Sequence, residues 1–590
     1  MALGALMQKW LALAVTLLIA AIIGVFAAQP PAPLPASAAA DKFSAGRAMA
    51  DIRVIARAPH PTGSAANAAV AAHLVQRLQA LGFVVRQTAV PLPEKPRARL
   101  EDWSGSDAAS VKAVNIIALR PGRDPASPAV AMMAHYDSVW ASPGAADDAA
   151  GVAAALEIAR AIPRETQARD LVILLTDAEE IGLVGARAFF AEGSAGDPLA
   201  GRIGALVNME TRGGGGRAIM FETGRQNGEM VTLLADHASN PAANSLAVKI
   251  YELLPNSTDF TPAKLRGIAG VNFAFMGRAE LYHSPLTTPD AIDQGSVQHL
   301  GAQGLAITRA LVTAAALPAA APDLVFSDVL GTRIIAYPEG FGWLIVGAIV
   351  AAMVVAARGQ TRHWDRRSLG AGLLDGVSFT LASGVLLYVA NLLSGADAKT
   401  NYYDRLAALP RLEVQALLLV VAGLALAIGI AGPKRTTWGG WLGLALLNLV
   451  MVTALQIVIP AAAPILAWPL LAAALAMAVA ARGGTASPGA LGLVTASVAA
   501  VFGLAFAGGF AHFAFLAIGG PTPAAIAAFA PLAMLLLWPL LPGISRRAAF
   551  GAALALVIAA GAIALWVRLD PIAASVPPYQ ERGAKAKAPK

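Results

Sequence analysis

The sequence predicts an α/β domain, a mostly parallel twisted sheet with helices on both faces, followed by an all-α, multi-span membrane domain. Three observations predict it. Short apolar runs alternate with helical stretches between residues 40 and 323. The composition changes abruptly near Tyr337, after which apolar blocks long enough to cross a bilayer follow one another. The 590 residues are 57% hydrophobic but only 14% charged, too apolar for an ordinary soluble chain and unlike a disordered or fibrous one.

In the water-facing half, strands are read at 113–120, at 129–134 ending on His135, and at 170–176, 204–209, 217–222, 248–253 and 271–275. Helices are read at 149–162, at 183–191, from about 228, and at 295–316. In such sheets ligands bind beyond the carboxyl ends of the strands. The polar residues singled out below fall at those ends.

Eight apolar blocks of roughly 18–25 residues, the length of a bilayer-spanning helix, lie at about 340–357, 369–394, 414–431, 441–459, 463–481, 489–508, 523–541 and 549–567. A ninth lies at about 10–28. Ala36-Ser37-Ala38 resembles a signal cleavage site, but the apolar run is long for a signal peptide and the site lies well past its end. The segment therefore reads as an uncleaved anchor. The organisation expected is an anchor and linker (1–39), a soluble domain (40–323), a membrane domain of about eight helices (324–567) and a disordered basic tail (568–590).

With the N-terminus cytoplasmic, the soluble half lies outside, in a periplasm or a lumen. The loops then inside carry Arg358, Arg362, Arg366 and Arg367; Lys434 and Arg435; Arg482; and Arg546 and Arg547. Four basic loops on one side follow the positive-inside rule. The tail, with Lys585, Lys587 and Lys590, is a mild exception. Much of the net charge of +7 thus reports topology rather than a nucleic-acid partner; the partner implied is the lipid bilayer. The spans hold few ionisable groups. Asp375 reads as an acid near the cytoplasmic end of its span, and His512 as interfacial, in a 508–521 connection.

The chain has no cysteine, which excludes disulfides, thiolate-held zinc, iron–sulfur clusters and thiol nucleophiles. Any metal must be held by His and carboxylates. His135-Tyr136-Asp137 ends one strand, a pattern in which a carboxylate orients a metal-binding imidazole. Asp147-Asp148 opens a helix in P-G-A-A-D-D-A-A-G; as a pair it serves equally as an N-cap or as a bridge between cations. Asp177, Glu179 and Glu180 crowd T-D-A-E-E-I-G-L-V-G-A after a buried strand, an arrangement costly without cations. One of these carboxylates can bind metal while its neighbour acts as general base. Glu210 ends a strand as N-M-E, His283 stands in L-Y-H-S-P, and Asp259 in N-S-T-D-F; each alone would be a surface residue. The Gly213–Gly216 run lacks the Lys and the helix of a phosphate loop and reads as a flexible turn. No G-x-S-x-G elbow occurs. Together these residues supply a ligand set that zinc accepts.

The ordered motifs H-Y-D-S, G-A-A-D-D-A-A-G, A-E-E-I-G-L-V-G-A, N-M-E and Y-H-S resemble those of metallopeptidase family twenty-eight, the co-catalytic dizinc aminopeptidases, over roughly residues 45–318. The resemblance implies a zinc-aminopeptidase-like fold and two Zn2+ ions. It places His135, Asp147 and Glu210 on one ion and Asp147, Glu180 and His283 on the other. Asp147 is preferred to Asp148 because the family's bridging Asp stands four residues before the Gly, here Gly151. Glu179 falls at the general base and Asp137 at the Asp supporting the His ligand. The implied reaction is attack of a metal-bridged water on a peptide carbonyl of a peptide or protein substrate with a free N-terminus.

The nine spans are similar to the family's membrane-bound branch of vacuolar and endoplasmic-reticulum metallopeptidases. That branch has S-D-T-D where this chain has Asn256-Ser257-Thr258-Asp259. Two other functions remain open at this level. One is a glutaminyl cyclase-like acyltransferase, which shares H-Y-D-S and the paired acids. The other is a membrane transporter or scaffold with an accessory peptidase domain. Oligomeric state is left undetermined.

Overall fold

The computed structural model describes residues 2–397, 402–432, 437–518, 520 and 522–569. Lys434, Arg435 and the tail from 570 onward, with Lys585, Lys587 and Lys590, lie outside the described residues. The chain forms two compact units. One is built on Gln29–Ala336, the other on Met1–Ala28 together with the chain from Tyr337.

After helix α1 (Ala2–Ala28), the first unit runs α2 (Ala45–Ile55), α3 (Ala65–Ala80), β1 (Val84–Pro91), α4 (Glu94–Ser104), β2 (Lys112–Arg120), β3 (Ala129–His135), α5 (Ala149–Ala161), β4 (Leu171–Thr176), α6 (Val184–Phe189), β5 (Ile203–Thr211) and β6 (Gly215–Thr223). It continues with α7 (Gly228–His237), α8 (Ser245–Leu253), α9 (Phe260–Leu265), β7 (Ala269–Gly277) and α10 (Gln294–Thr313), then a small sheet of β8 (Leu324–Asp328) and β9 (Ile334–Pro338).

The main sheet has the order β1-β2-β4-β3-β5-β7-β6. Its centre, β4-β3-β5-β7, is parallel; β1, β2 and β6 add antiparallel edges. The parallel strands are buried on both faces, as apolar runs without polar alternation require. On β3, Val130, Met132 and Ala134 enter the core shared with α2, α5 and α10, while Ala131 and Met133 enter a second core on the other face, against Phe260 and Phe189. Helix α5 is buried almost throughout, so the sheet end from which it starts is rigid. Segment 34–39 is also tied down: Arg47 donates to the carbonyls of Ala36 and Ala38 (2.8 Å each), and Gln298 accepts from Leu34 and Ala45.

Two sequence expectations change. Residues 248–253 are not a strand but the body of α8. The run S-L-A-V-K-I-Y-E-L is short, with Val248, Ile250 and Tyr251 as strand formers among helix formers, so its pattern is ambiguous. Asn244 decides it, capping the helix by accepting from Ala247 N at 2.7 Å. The Gly213–Gly216 run is only partly a turn: Gly213 and Gly214 connect β5 to β6, and Gly215 and Gly216 begin β6. A Cβ on Gly213 would lie 2.4 Å from Gly277 O and one on Gly214 2.2 Å from Leu281 Cδ1, so the run lets the β5–β6 turn press against the segment that follows β7.

The second unit contains α11 (Gly342–Gly359), α12 (Arg366–Asn391), α13 (Tyr402–Ala431), α14 (Thr437–Val458), α15 (Ala463–Ala481), α16 (Ala490–Ile518), α17 (Ala530–Leu537) and α18 (Arg546–Leu569). With α1, and with α17 extended by 3-10 turns over Pro523–Leu540, nine helices among the described residues are long and apolar enough to cross a membrane. The chain is an integral membrane protein by this composition. Helices α12 and α14 meet at glycines: a Cβ on Gly372 would lie 2.2 Å from Gly440 O, the close approach that small residues permit. Asp375 lies in α12 and is buried against neighbouring protein. His512 does not sit in a connection. It lies within α16, which continues through 518, and its ring pairs with Glu413 of α13.

Candidate metal centre

The candidate residues lie at or beyond the carboxyl ends of the central strands β3, β4, β5 and β7. β3 ends at His135, whose Nδ1 donates to the Asp137 carbonyl (3.0 Å) and so turns Nε2 toward the carboxylates. Nε2 lies 3.0 Å from Asp147 Oδ1 and 3.8 Å from Glu210 Oε2. The Asp137 carboxylate is 3.5 Å from Nδ1.

The Asp147–Asp148 pair, joined by a cis peptide bond, divides its tasks. Asp148 is the N-cap of α5 and accepts from Gly151 N at 3.0 Å. A Cβ on Gly151 would come within 2.5 Å of both its carboxylate oxygens, which explains the glycine at this spacing. Asp147 is thereby free to lie between the two imidazoles, Oδ1 toward His135 and Oδ2 toward His283 Nε2 at 3.2 Å.

β4 leads into the turn Asp177–Glu180, where Ala178 takes a left-handed φ of 63°. Glu180 Oε2 lies 3.1 Å from His283 Nε2. Glu210 and Asn208 point to the same face of β5, and Asn208 Nδ2 approaches Glu210 Oε1 at 3.4 Å. His283 follows β7 with a φ of 54°, its ring stacked on Tyr282 at 3.8 Å.

All five side chains expected as ligands therefore converge. Four of them, with Asp148, fall into two overlapping triads, His135–Asp147–Glu180 and His135–Asp148–Glu210, each with its donor atoms within 4.8 Å of one another; His283 joins them through Asp147 and Glu180. The site is buried and holds many more carboxylates than imidazoles. Burial pushes the carboxyls of Glu179, Glu210 and Asp148 well above their ordinary range, and that of Glu180 upward. Burial also disfavours charge on His135 and Asp147. Mutual contact outweighs it: His135, beside Asp137 and Asp147, is held well above its usual value, and Asp147, between the two imidazoles, falls to about 2. Protonated imidazole thus stands where a cation would. Glu180 Oε1 and Asp148 Oδ2 are buried without a hydrogen-bond partner. A buried set of neutral-capable His nitrogens and surplus carboxylate oxygens, some unsatisfied, fits divalent zinc.

Glu179 lies in the same turn, and its backbone N donates to Asp137 Oδ1 at 3.1 Å. Asp259, expected at the surface, is fully buried; Thr176 Oγ1 at the end of β4 donates to it, and burial raises its carboxyl to about 6. Sequence reasoning missed Thr62 and Asn67, which contact Asp177, and His60, whose backbone pairs with Ser138. The only signal was a polar cluster, H-P-T-G-S-A-A-N, at the start of a helix.

The central strands and the site fall within a recognised family: residues 115–308 match the model of Peptidase family M28, and the chain carries an M28 peptidase domain. Over 250 residues it is 33% identical to endoplasmic reticulum metallopeptidase 1 of Homo sapiens, covering 41% of this chain and 27% of that one. It is 30% identical over 253 residues to the vacuolar membrane protease of Candida dubliniensis, covering 42% of this chain and 26% of that one. The similarity thus spans about a quarter of the length of these relatives. Among solved structures, an aminopeptidase from Aneurinibacillus sp. strain AM-1 is 16% identical and covers 48% of this chain and 97% of that one, with a TM-score of 0.37.

Proposed function

We propose that this chain is a membrane-bound, zinc-dependent exopeptidase of the aminopeptidase type. One observation carries the reading: Asp147 presents a separate oxygen to each of two imidazoles, with Glu210 beside one and Glu180 beside the other. That is the donor arrangement of a carboxylate shared by two cations. His135, Asp147 and Glu210 would hold one zinc ion, and Asp147, Glu180 and His283 the other.

When bound, the pair of ions supplies Lewis acidity toward a carbonyl oxygen and toward water. The remaining work belongs to this chain's own groups. Glu179 takes a proton from the attacking water and delivers it to the leaving amine nitrogen. Its burial suits the task, since a carboxyl raised above its ordinary range is a better proton acceptor. Asp137 orients the His135 ring and holds the Glu179 and Glu180 amides. The peptidase domain runs from about residue 40 through Ala336 rather than to 323, since Phe326 and Ile334 lie in its core, and the membrane domain follows from Tyr337 to about 567. The basic loops support a periplasmic or lumenal peptidase domain.

The test is hydrolysis of unblocked and N-blocked peptides by the full-length protein in detergent, with Glu179→Gln as control. Turnover of unblocked peptides only, lost in the control, is expected. Turnover of N-blocked peptides excludes the exopeptidase reading, and cyclisation of N-terminal Gln without hydrolysis replaces it with acyl transfer.

A further inference from the structure

The turn that carries Glu179 and Glu180 is gripped through three consecutive backbone amides. Ala178 N donates to Asp177 Oδ1 (2.9 Å), Glu179 N to Asp137 Oδ1 (3.1 Å) and Glu180 N to Asp137 Oδ2 (3.3 Å). The middle of this grip is strained, because Ala178 has a Cβ and yet a φ of 63°. Such a conformation persists only where its surroundings over-determine it. Here two buried carboxylates do so, and side by side they repel.

Thr62 stands between them, itself buried. Its Oγ1 is 2.8 Å from Asp177 Oδ1 and 3.4 Å from Asp137 Oδ2. A hydroxyl has one proton to give. The shorter distance assigns it to Asp177, leaving both Asp137 oxygens to the amides of Glu179 and Glu180. Val114 N, from β2, takes the other Asp177 oxygen at 2.8 Å.

Thr62 is itself held from both sides. His60 N donates to Ser138 Oγ (2.9 Å) and Ser138 N to His60 O (3.3 Å), pinning the segment to the chain just beyond His135. Ser64 caps α3 by accepting from Asn67 N, and Asn67 Nδ2 reaches Asp177 Oδ1 and His60 O, each at 3.4 Å.

We propose that Thr62 is a positioning residue, its hydroxyl anchoring the Asp177 carboxylate beside Asp137 so that the two acids together fix the Ala178–Glu180 backbone and so set where Glu179 points. The inference rests on Glu179 being the base, but its structural half can be tested without activity.

The experiment compares Thr62→Val, nearly the same shape without the hydroxyl, with Thr62→Ser, which keeps it. Both are made in the full-length chain. Hydrogen exchange is followed on peptides covering 177–181, and steady-state kinetics with an unblocked peptide and zinc content are measured alongside. In Thr62→Val the 178–180 amides are expected to exchange about tenfold faster, the loss of one buried hydrogen bond. Its kcat is expected to fall about 10–100-fold, as for groups that orient a site from behind, with KM within about twofold and zinc unchanged. Thr62→Ser is expected to match wild type in every readout.

Wild-type exchange in Thr62→Val overturns the proposal, as does a Thr62→Ser variant that exchanges as fast as Thr62→Val. If Thr62→Val does not fold, the Thr62→Ala and Thr62→Ser pair repeats the comparison, and equal exchange in the two again overturns it. Faster exchange in the hydroxyl-free variants of a chain that hydrolyses no peptide upholds the anchoring and sinks only the peptidase reading.

Discussion

Asp147→Asn is the substitution that most directly probes the centre. Asp147 offers Oδ1 to His135 at 3.0 Å and Oδ2 to His283 at 3.2 Å. Asparagine keeps one acceptor oxygen and replaces the other with a donor amide, so at least one ion loses an anionic ligand. A loss of affinity of about 100-fold or more is expected, since even groups behind the ligands cost 10–100-fold. Held at a hundredfold excess over its dissociation constant, one ion stabilises the fold by about 2.7 kcal/mol. For a unit of this size that corresponds to a thermal midpoint lower by about 4 °C. The assay is zinc content by mass spectrometry after equilibration in buffered zinc, with thermal unfolding of the full-length protein. Wild type should retain about two ions per chain and Asp147→Asn about one or fewer. Asp148→Asn is the control: asparagine caps helices as well as aspartate does, and it resembles the protonated form that burial favours for Asp148. It should keep both ions. Loss of an ion from Asp148→Asn but not from Asp147→Asn would refute the reasoning and hand the bridging role to Asp148.

Three further outcomes are expected. Glu179→Gln should keep its zinc and its thermal midpoint yet lose activity by about 10²–10⁴-fold, measured as peptide turnover beside metal content; lost zinc would make Glu179 a ligand instead. Chelated protein should lose stability as pH rises from 5 to 8, read as thermal midpoint. Folded-state values raised above 4.5 for Glu179, Glu180 and Glu210, and above 6.5 for His135, mean that the folded state binds more protons than the unfolded one across this window. Asp147, lowered to about 2, works in the opposite sense, but only below its ordinary 3.8. Because zinc must displace those protons, zinc affinity should rise over the same window, and a chelated midpoint that rises instead would contradict the protonation pattern. Gly213→Ala, whose Cβ would meet a backbone carbonyl at 2.4 Å, should cost about 1–3 kcal/mol in thermal or denaturant unfolding; a neutral result would mean that the β5–β6 turn has room to move.

Part of this centre was legible because two of the proposed ligands, His135 and Glu210, sit at strand ends, where the apolar-to-polar switch marks them. His135 ends β3 and Glu210 lies in the last residues of β5, and the sequence shows both ends as the close of an apolar run. The motif prefers Asp147 to Asp148, and in the structure Asp148 caps Gly151 N while also lying near His135 and Glu210. The fold's central strands were readable for the same reason, buried on both faces and so continuously apolar. Less was visible where structure rests on single polar contacts. α8 looked like a strand until Asn244 was seen to cap it. Asp259 looked like a surface acid because nothing local shows that Thr176 meets it from another strand.

By itself, the sequence determined what depends on local chemistry and period: the membrane spans, from runs of apolar residues with few charges to interrupt them, the alternation of strand and helix, and the residue types able to hold a metal. Tertiary structure alone decided which side chains meet. Thr62 reaches Asp177 across 115 positions and Asn208 reaches Asn272 across 64. No periodicity encodes such encounters, because they are set by the order in which strands enter the sheet and by the register in which they pair.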